Sequence, residues 1–191
     1  MTLLETVEHQ TGPDPRWSIL WLHGLGADGH DFAPIVPELL RAGWPALRGL
    51  MRPGVVRAFD VRSGELMWAW DPGNPATTKR PPAGETYTRG TPNVWSAMSY
   101  DAKLGLVYLP MGNPPPDQWG GKRSEAAERV GSSVVALDLA TGRLRWVFQT
   151  VHHDLWDYDN ASPPLLATVK GQPAVIQTTK TGMMFVLNRV T

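Results

Sequence analysis

The feature of this sequence that most constrains its fold is a repeat of three residue types in one register. The second copy lies 78 residues after the first: Asp60, Gly64 and Trp68 correspond to Asp138, Gly142 and Trp146. An aspartate at a strand end accepts hydrogen bonds from turn amides, and glycine supplies the positive φ that closes a hairpin. The recurrence therefore predicts a repeated β-hairpin unit.

The tryptophan of each unit predicts how the units associate. It lies four residues after the glycine, where its ring can pack against the neighbouring unit and bury ~150–250 Å². Sheets arranged radially as the blades of a propeller are held together in this way. A third copy begins at residues 185–191, and the sequence ends before its glycine. We expect a mainly β chain that forms a partial β-propeller.

The rest of the chain after residue 54 alternates strand-like runs with proline-rich segments. Residues 104–109, 173–179 and 183–188 are predicted strands. The segments 72–89 and 113–130 contain several prolines each, and they predict long loops over one face of the sheets. Binding residues tend to lie in such loops.

The composition of the chain gives no sign of a nucleic-acid partner, of a disulfide or of a membrane-spanning segment. The chain has 191 residues, with 18 Lys and Arg, 18 Asp and Glu, and no cysteine. A net charge of zero gives no reason to expect nucleic acid as a partner. No disulfide can form. The sequence shows neither a signal peptide nor an apolar run of the ~20 residues that span a bilayer, so the chain expressed as it stands is expected in the cytoplasm.

Residues 17–48 follow a different pattern. The run 17–22 is typical of a buried strand, 23–29 is a glycine-rich turn, and Asp31 begins a predicted helix that ends near Arg41. Residues 21–32 resemble the strand, oxyanion loop and helix of the carboxylesterase and acyl-protein thioesterase branch of α/β-hydrolases. No G-x-S-x-G occurs in the sequence, so the serine nucleophile of that family is absent. We expect a truncated hydrolase-like fragment over residues 1–48, a junction at 49–53 and the partial propeller over 54–191.

The run from His152 to Asp159 has the densest chemistry, with two histidines, three aspartates and two large aromatics. Burying a carboxylate beside aromatic rings favours its neutral form, which is how a general base with a raised pKa arises. Asp154, Asp157 and Asp159 are all candidates for that base. The alternative is an acidic, aromatic surface loop.

Several motifs together resemble the membrane-bound quinoprotein dehydrogenases, most closely the glucose and quinate/shikimate branch. The resemblance covers residues 54–191 and rests on five segments in order: 90–95, 108–113, 119–121, 152–159 and 177–182. It implies an eight-bladed propeller, of which this chain would hold about two to three blades. It also implies pyrroloquinoline quinone (PQQ) and Ca²⁺ or Mg²⁺ as cofactors, a sugar or polyol substrate, membrane ubiquinone as acceptor, and the periplasmic face of the inner membrane.

The resemblance also assigns roles to individual residues. Asp157 matches the base that accepts a proton from the substrate hydroxyl while hydride leaves for PQQ, and it is also a candidate metal ligand. Trp95 matches the residue that stacks under the quinone, and Lys180 matches a cation at the quinone oxygens. Asn113 matches the amide ligand of the metal, and Asn93 is a further candidate for cofactor contact.

Each of these residues also has a structural alternative. Trp95 could be a core residue, Asn113 a turn residue before proline, and Lys180 a surface lysine. The competing functional hypotheses are a carboxylesterase- or thioesterase-like α/β-hydrolase, whose catalytic serine is absent from this sequence, and a non-catalytic propeller-like binding module. We expect the isolated chain to bind PQQ weakly or not at all and to lack dehydrogenase activity.

Overall fold

The computed structural model describes residues 54–191, so the predictions for residues 1–53 lie outside the described part of the chain. The strands and the one helix among the described residues are β1 (Val56–Phe59), β2 (Leu66–Trp70), β3 (Ser99–Asp101), β4 (Leu106–Pro110), α1 (Glu125–Val130), β5 (Ser133–Asp138), β6 (Leu144–Gln149), β7 (Leu165–Val169), β8 (Gln172–Thr178) and β9 (Met184–Asn188). The strands form three antiparallel sheets with the orders β1-β2, β3-β4-β5-β6 and β7-β8-β9. The expectation of a mainly β, partial propeller is confirmed by this architecture together with the comparisons given below.

The two repeated turns have the predicted hydrogen bonds. Asp60 Oδ1 accepts the amides of Arg62 and Ser63 at 2.9 and 2.8 Å, and Gly64 has φ 73°. In the second copy, Asp138 Oδ1 accepts the Thr141 amide at 2.9 Å, and Gly142 has φ 70°. Each glycine thus takes the left-handed conformation that an L-residue adopts only at a cost.

Trp68 packs across from the first sheet onto the second, as predicted for the repeat. Its Nε1 donates to the Leu139 carbonyl at 3.0 Å, and only 5% of the residue is exposed. The indole covers Gly142 so closely that a Cβ there would lie 2.5 Å from Trp68 Cε3. The glycine therefore serves the turn and the contact between sheets at once.

The core lies on the faces of β4 and β5, the two central strands of the four-stranded sheet. Leu109 and Val135 are fully buried there and pack in one cluster with Trp70. On the opposite side, Tyr108 donates its hydroxyl to the Arg189 carbonyl at 2.9 Å, which connects this sheet to the end of β9. Burial raises the pKa of Tyr108 to about 12, so the hydroxyl keeps the proton that it donates.

Three elements differ from the sequence predictions. The segment 113–130 contains the short helix α1 where a continuous loop was expected. Ser124 caps that helix by accepting the Ala127 amide, and Glu125 and Glu128 lie in its first turn, where acidic side chains are favourable. Strands β3 and β7 were not predicted, because a three-residue strand and a mostly exposed one carry little hydrophobic patterning.

No helix within residues 54–191 is long and apolar enough to cross a membrane.

Candidate functional site

Three loops that follow strands meet at one end of the sheets. The loop after β4 carries Gly112 and Asn113, the loop after β6 carries residues 150–160, and the turn between β8 and β9 carries Lys180. The pairing of these strands in antiparallel sheets brings together loops from distant parts of the sequence. Positions at strand ends on such a scaffold are typical of ligand sites.

Gly112 lies at the centre of this junction. Its amide donates to the Asn93 carbonyl at 2.8 Å, and its carbonyl accepts the Ser132 amide at 2.9 Å. A Cβ at this position would lie 3.1 Å from Asn93 Oδ1 and from Asp159 Oδ1, and 3.2 Å from Trp95 Cδ1. Three side chains, those of Asn93, Trp95 and Asp159, therefore converge on the small space that this glycine leaves.

Asn113, the next residue, is buried with only part of its hydrogen-bonding capacity used. Its backbone amide donates to Asp159 Oδ1, and its Nδ2 donates to the Asp117 carbonyl. Its side-chain oxygen Oδ1 is buried and has no hydrogen-bond partner. An unpaired buried acceptor is costly unless something binds it, and an amide oxygen is a ligand that Ca²⁺ and Mg²⁺ accept. The residue therefore fits the metal that the family resemblance implies.

Lys180 connects the acidic residues of the site. Its Nζ lies 2.9 Å from Asp159 Oδ2 and 3.3 Å from Asp157 Oδ2, and it also donates to the Asp157 carbonyl at 2.9 Å. The same ammonium lies 5.7 Å from the centre of the Trp95 ring, within the range of a cation–π contact. Trp95 is 52% exposed, so it is not a core residue.

The pKa shifts of Asp157 and Lys180 follow from this geometry. Partial burial and the nearby Asp159 carboxylate raise the pKa of Asp157, although Lys180 opposes the shift. Burial would lower the pKa of Lys180, but the carboxylates of Asp159 and Asp157 outweigh it and hold that pKa above its ordinary value. The site therefore keeps a cation beside an aspartate that binds a proton more readily than a free one.

Asp154 has a structural role that separates it from the other candidate bases. It is 2% exposed, and its carboxylate accepts the amides of Trp156 and Tyr158 and the Ser132 hydroxyl at 2.9, 2.8 and 2.6 Å. These bonds fold the loop around Asp157, which has the left-handed φ of 62°. A non-glycine residue at such a φ is strained and needs support from its surroundings.

Among the residues that the structure describes, no three acidic or histidine side chains come together as a potential metal-binding group.

The sequence of this site agrees with that of one protein family. A family model described as "PQQ: Glucose/ethanol/alcohol dehydrogenase, beta-propeller domain" matches residues 42–191. The chain belongs to this PQQ dehydrogenase family. The match begins upstream of residues 49–53, where the sequence analysis expected the junction. The family resemblance stated for residues 54–191 is thereby confirmed, and membership implies PQQ as the cofactor.

Individual PQQ dehydrogenases show how much of the family's length is present. The chain is 52% identical to the quinoprotein glucose dehydrogenase of Escherichia coli (strain K12) over 140 residues, which cover 71% of this chain and 18% of that protein. It is 45% identical to the glycerol dehydrogenase large subunit of Gluconobacter oxydans (strain 621H), covering 88% of this chain and 24% of that protein. The chain thus spans about a fifth to a quarter of the length of these relatives.

A solved structure supports the fold. The quinohemoprotein alcohol dehydrogenase from Comamonas testosteroni matches with a TM-score of 0.59 at 28% identity, over 74% of this chain and 24% of that one. The propeller strands of this PQQ dehydrogenase chain therefore have the arrangement of a segment of a larger quinoprotein.

The structure brings all five predicted site residues to this end of the sheets. Asn93, Trp95 and Asn113 meet at Gly112, while Asp157 is linked to them through Lys180. Two further residues lie at the site: Asp159, which the sequence analysis named as a competing candidate for the general base, and Arg123, for which it predicted no role. Asp159 bridges Asn113 and Lys180, and the Arg123 side chain lies between the loops. For Asp159 the acidic run was a signal, whereas nothing local marks Arg123.

The two histidines of the acidic run lie apart from Lys180. His152 Nδ1 lies 3.0 Å from Gln149 Oε1, and His153 Nδ1 lies 2.8 Å from Glu128 Oε1. These contacts join the run to β6 and to α1.

Proposed function

We propose that this chain is part of a PQQ-dependent dehydrogenase that oxidises a hydroxyl group of a sugar or polyol. The observation that carries the proposal is the set of contacts made by the Lys180 ammonium, which lies beside the carboxylates of Asp157 and Asp159 and near the half-exposed Trp95 ring. Asp159 also binds the backbone amide of Asn113, whose side-chain oxygen is buried and unpaired. The names of the relatives, a glucose and a glycerol dehydrogenase, support this substrate class. When bound, PQQ would supply the electron acceptor for this oxidation.

Three residues are proposed to hold PQQ. Trp95 offers the exposed face of its ring for stacking, which suits a planar conjugated cofactor. Lys180 places a positive charge 5.7 Å from the centre of that ring, where it would stabilise negative charge on PQQ oxygens. Asn93 is proposed as a further polar contact because its Oδ1 faces the space at Gly112, close to Trp95.

A divalent cation, Ca²⁺ or Mg²⁺, is proposed to bind between Asn113 and Asp157. The Oδ1 atom of Asn113 is free to accept it, and a carboxylate is the natural second oxygen ligand. The cation would polarise the bound cofactor as a Lewis acid. Lys180 would then balance the charge of the remaining carboxylate, Asp159, at 2.9 Å.

Asp157 is proposed as the general base. Its Oδ2 lies 3.3 Å from Lys180 Nζ, and the carboxylate is proposed to accept the proton of the substrate hydroxyl. A base works best when its pKa approaches the working pH, and both burial and Asp159 move the pKa of Asp157 upward. Asp154 is not proposed for this role because hydrogen bonds already occupy both of its oxygens.

For the whole protein we propose electron transfer to membrane ubiquinone at the periplasmic face of the inner membrane, as the family resemblance implies. For residues 1–48 we propose a hydrolase-like fragment that ends at a junction over residues 49–53 and has no esterase activity. An assay with a p-nitrophenyl ester tests the latter, and turnover lost on mutation of a single serine would contradict it.

The central test is a graft into a complete enzyme. Residues 54–191 replace the matching segment of the Escherichia coli glucose dehydrogenase, which is 52% identical over 140 residues. We expect the chimera to oxidise glucose in a PQQ-dependent manner. Asp157→Asn in the graft should lower kcat about 10²–10⁴-fold, because it removes the base. Glu125→Gln, an exposed acid on α1, is the matched control and should leave kcat unchanged.

Two results would contradict the proposal. One is a chimera that folds and binds PQQ but has no activity with any sugar or polyol. The other is an Asp157→Asn chimera with the kcat of the unsubstituted graft.

A further inference from the structure

A buried arginine joins the two loops that carry Asn113 and Asp157. The side chain of Arg123 is 2% exposed. Its Nη1 donates to the Asp154 carbonyl at 2.7 Å, and its Nη2 donates to the carbonyls of Pro116 and Asp117, both at 3.1 Å. One guanidinium therefore binds three backbone oxygens from two loops, and Asp154 lies 31 residues from Arg123 in the sequence.

Two of these carbonyls, those of Asp117 and Asp154, belong to residues that support the site. The Asp117 carbonyl also accepts Nδ2 of Asn113, so it orients the amide whose Oδ1 is unpaired. Asp154, on the other side, binds with its carboxylate the amides of Trp156 and Tyr158, the two neighbours of Asp157. Arg123 thus contacts the supports of both proposed metal ligands without touching either ligand.

The loop that carries Asp157 needs such support. His153 and Asp157 have φ values of 46° and 62°, a conformation that non-glycine residues adopt only when surrounding contacts impose it. A guanidinium suits this task because its planar donors bind several acceptors in fixed directions, whereas a lysine ammonium is a point charge. Glu128 lies 3.7 Å from Nη1 and balances the buried charge.

We propose that Arg123 is a positioning residue that holds the Asn113 turn and the Asp157 loop in the arrangement that binds the metal and PQQ. The role of those two residues rests on the proposed function, but the mechanical link between the loops does not. The inference therefore has one consequence in the protein alone and one that requires the cofactor.

The first measurement is amide hydrogen exchange in the full chain. Arg123→Gln removes the charge and most donors, Arg123→Lys keeps the charge, and Arg129→Gln changes an exposed arginine of the same helix as a matched control. We expect exchange at Trp156 and Tyr158 to rise at least about tenfold in Arg123→Gln and less in Arg123→Lys. Exchange at Val135 in the core should change less than about twofold, and Arg129→Gln should have no effect.

The second measurement is a titration of the same variants with PQQ and Ca²⁺, followed by tryptophan fluorescence. If the unsubstituted chain shows saturable quenching, Arg123→Gln should weaken the apparent affinity at least about tenfold, with partial recovery in Arg123→Lys. If it shows none, the result counts against PQQ binding by this chain, and the exchange measurement still decides the role of Arg123.

Three outcomes overturn the proposal. In the first, Trp156 and Tyr158 keep their protection in Arg123→Gln. In the second, exchange rises equally in the loop and at Val135, which would make Arg123 a general stabilising residue. In the third, Arg129→Gln has the same effect as Arg123→Gln. Should Arg123→Gln fail to fold, Arg123→Lys carries the same comparison.

Discussion

The hairpin turn at Asp138 and the loop at Asp157 each combine an aspartate with a left-handed backbone position, but the pKa of the aspartate is lowered in the turn and raised in the loop. In the turn, the Thr141 hydroxyl and amide hold the pKa of Asp138 below its usual range, and the left-handed position is occupied by Gly142. In the loop, the left-handed positions are occupied by His153 and Asp157, and burial together with Asp159 raises the pKa of Asp157. In the turn, the hydrogen bonds of the aspartate carboxylate and the glycine at the left-handed position all lie within residues 138–142. The loop depends on contacts with residues distant in the sequence, such as Lys180.

This contrast agrees with a structural role for Asp138 and with the role proposed for Asp157. A turn that repeats along the chain has relieved its strain with glycine and its charge with local donors. The site loop keeps strain and an incompletely paired acid, and such features persist where function requires them. The predictions below test this distinction, beginning with the largest expected effect on stability.

The largest effect is expected for the tryptophan that joins the first two sheets. Trp68→Ala should lower the free energy of unfolding by about 3–5 kcal/mol, because it leaves a cavity over Gly142 and removes the bond to Leu139. Trp95→Ala is the matched control, since that indole is 52% exposed, and it should cost less than about 1 kcal/mol. Urea unfolding of both variants measures the difference. Equal losses would show that Trp95 is a structural residue like Trp68.

The next effect separates the two repeated glycines. Gly64→Ala meets open space, so it should cost about 1–2 kcal/mol from the positive φ alone. Gly142→Ala has the same φ penalty and adds a clash with the Trp68 ring, for a total of about 2–4 kcal/mol. Urea midpoints of the two variants provide the comparison. A Gly142→Ala variant no less stable than Gly64→Ala would mean that the indole moves aside freely.

A smaller effect measures strain in the site loop. Asp157→Gly and Asp157→Ala both remove the carboxylate and its contact with Lys180, but only glycine relieves the positive φ. The glycine variant should therefore be more stable than the alanine variant by about 1 kcal/mol. This order is the reverse of the usual one for these two residues. If alanine is the more stable variant, the loop does not hold Asp157 at a left-handed φ in solution.

The smallest effects are pH dependences of opposite sign. The pKa of Asp138 is lowered by folding, so its contribution to stability is present above its unfolded pKa and is lost as pH falls through the folded value. The pKa of Asp157 is raised by folding, so the folded state loses stability as pH rises through the interval between the unfolded and folded values. At pH 7, Asp138→Asn should therefore lower the urea midpoint and Asp157→Asn should raise it.

Both differences should disappear below the pKa values of the carboxyl groups, where wild-type aspartate and asparagine are both neutral. Urea unfolding at neutral pH and at low pH measures this. If the urea midpoints of the two variants shift in the same direction at pH 7, folding does not change the pKa values of Asp138 and Asp157 in opposite directions.

Much of the fold and several site residues could be predicted from the sequence. The hairpin turns were predictable because their hydrogen bonds join residues two or three apart, such as Asp60 to Arg62 and Ser63. The packing of Trp68 followed from its repeated position. The candidates Trp95, Asn113, Asp157 and Lys180 came from resemblance to a family, and each had a structural alternative that local sequence could not remove.

The tertiary structure decided which of the aspartates in the acidic run is buried and hydrogen-bonded and which one contacts Lys180. Asp154 and Asp157 are similar in sequence context, yet one is buried under three hydrogen bonds and the other faces Lys180. Asp159 reaches Asn113 across 46 residues, and Arg123 reaches Asp154 across 31. Local sequence determined the turns because their partners are adjacent in the chain. The site depends on partners that only packing of the sheets brings together, and no local pattern encodes that distance.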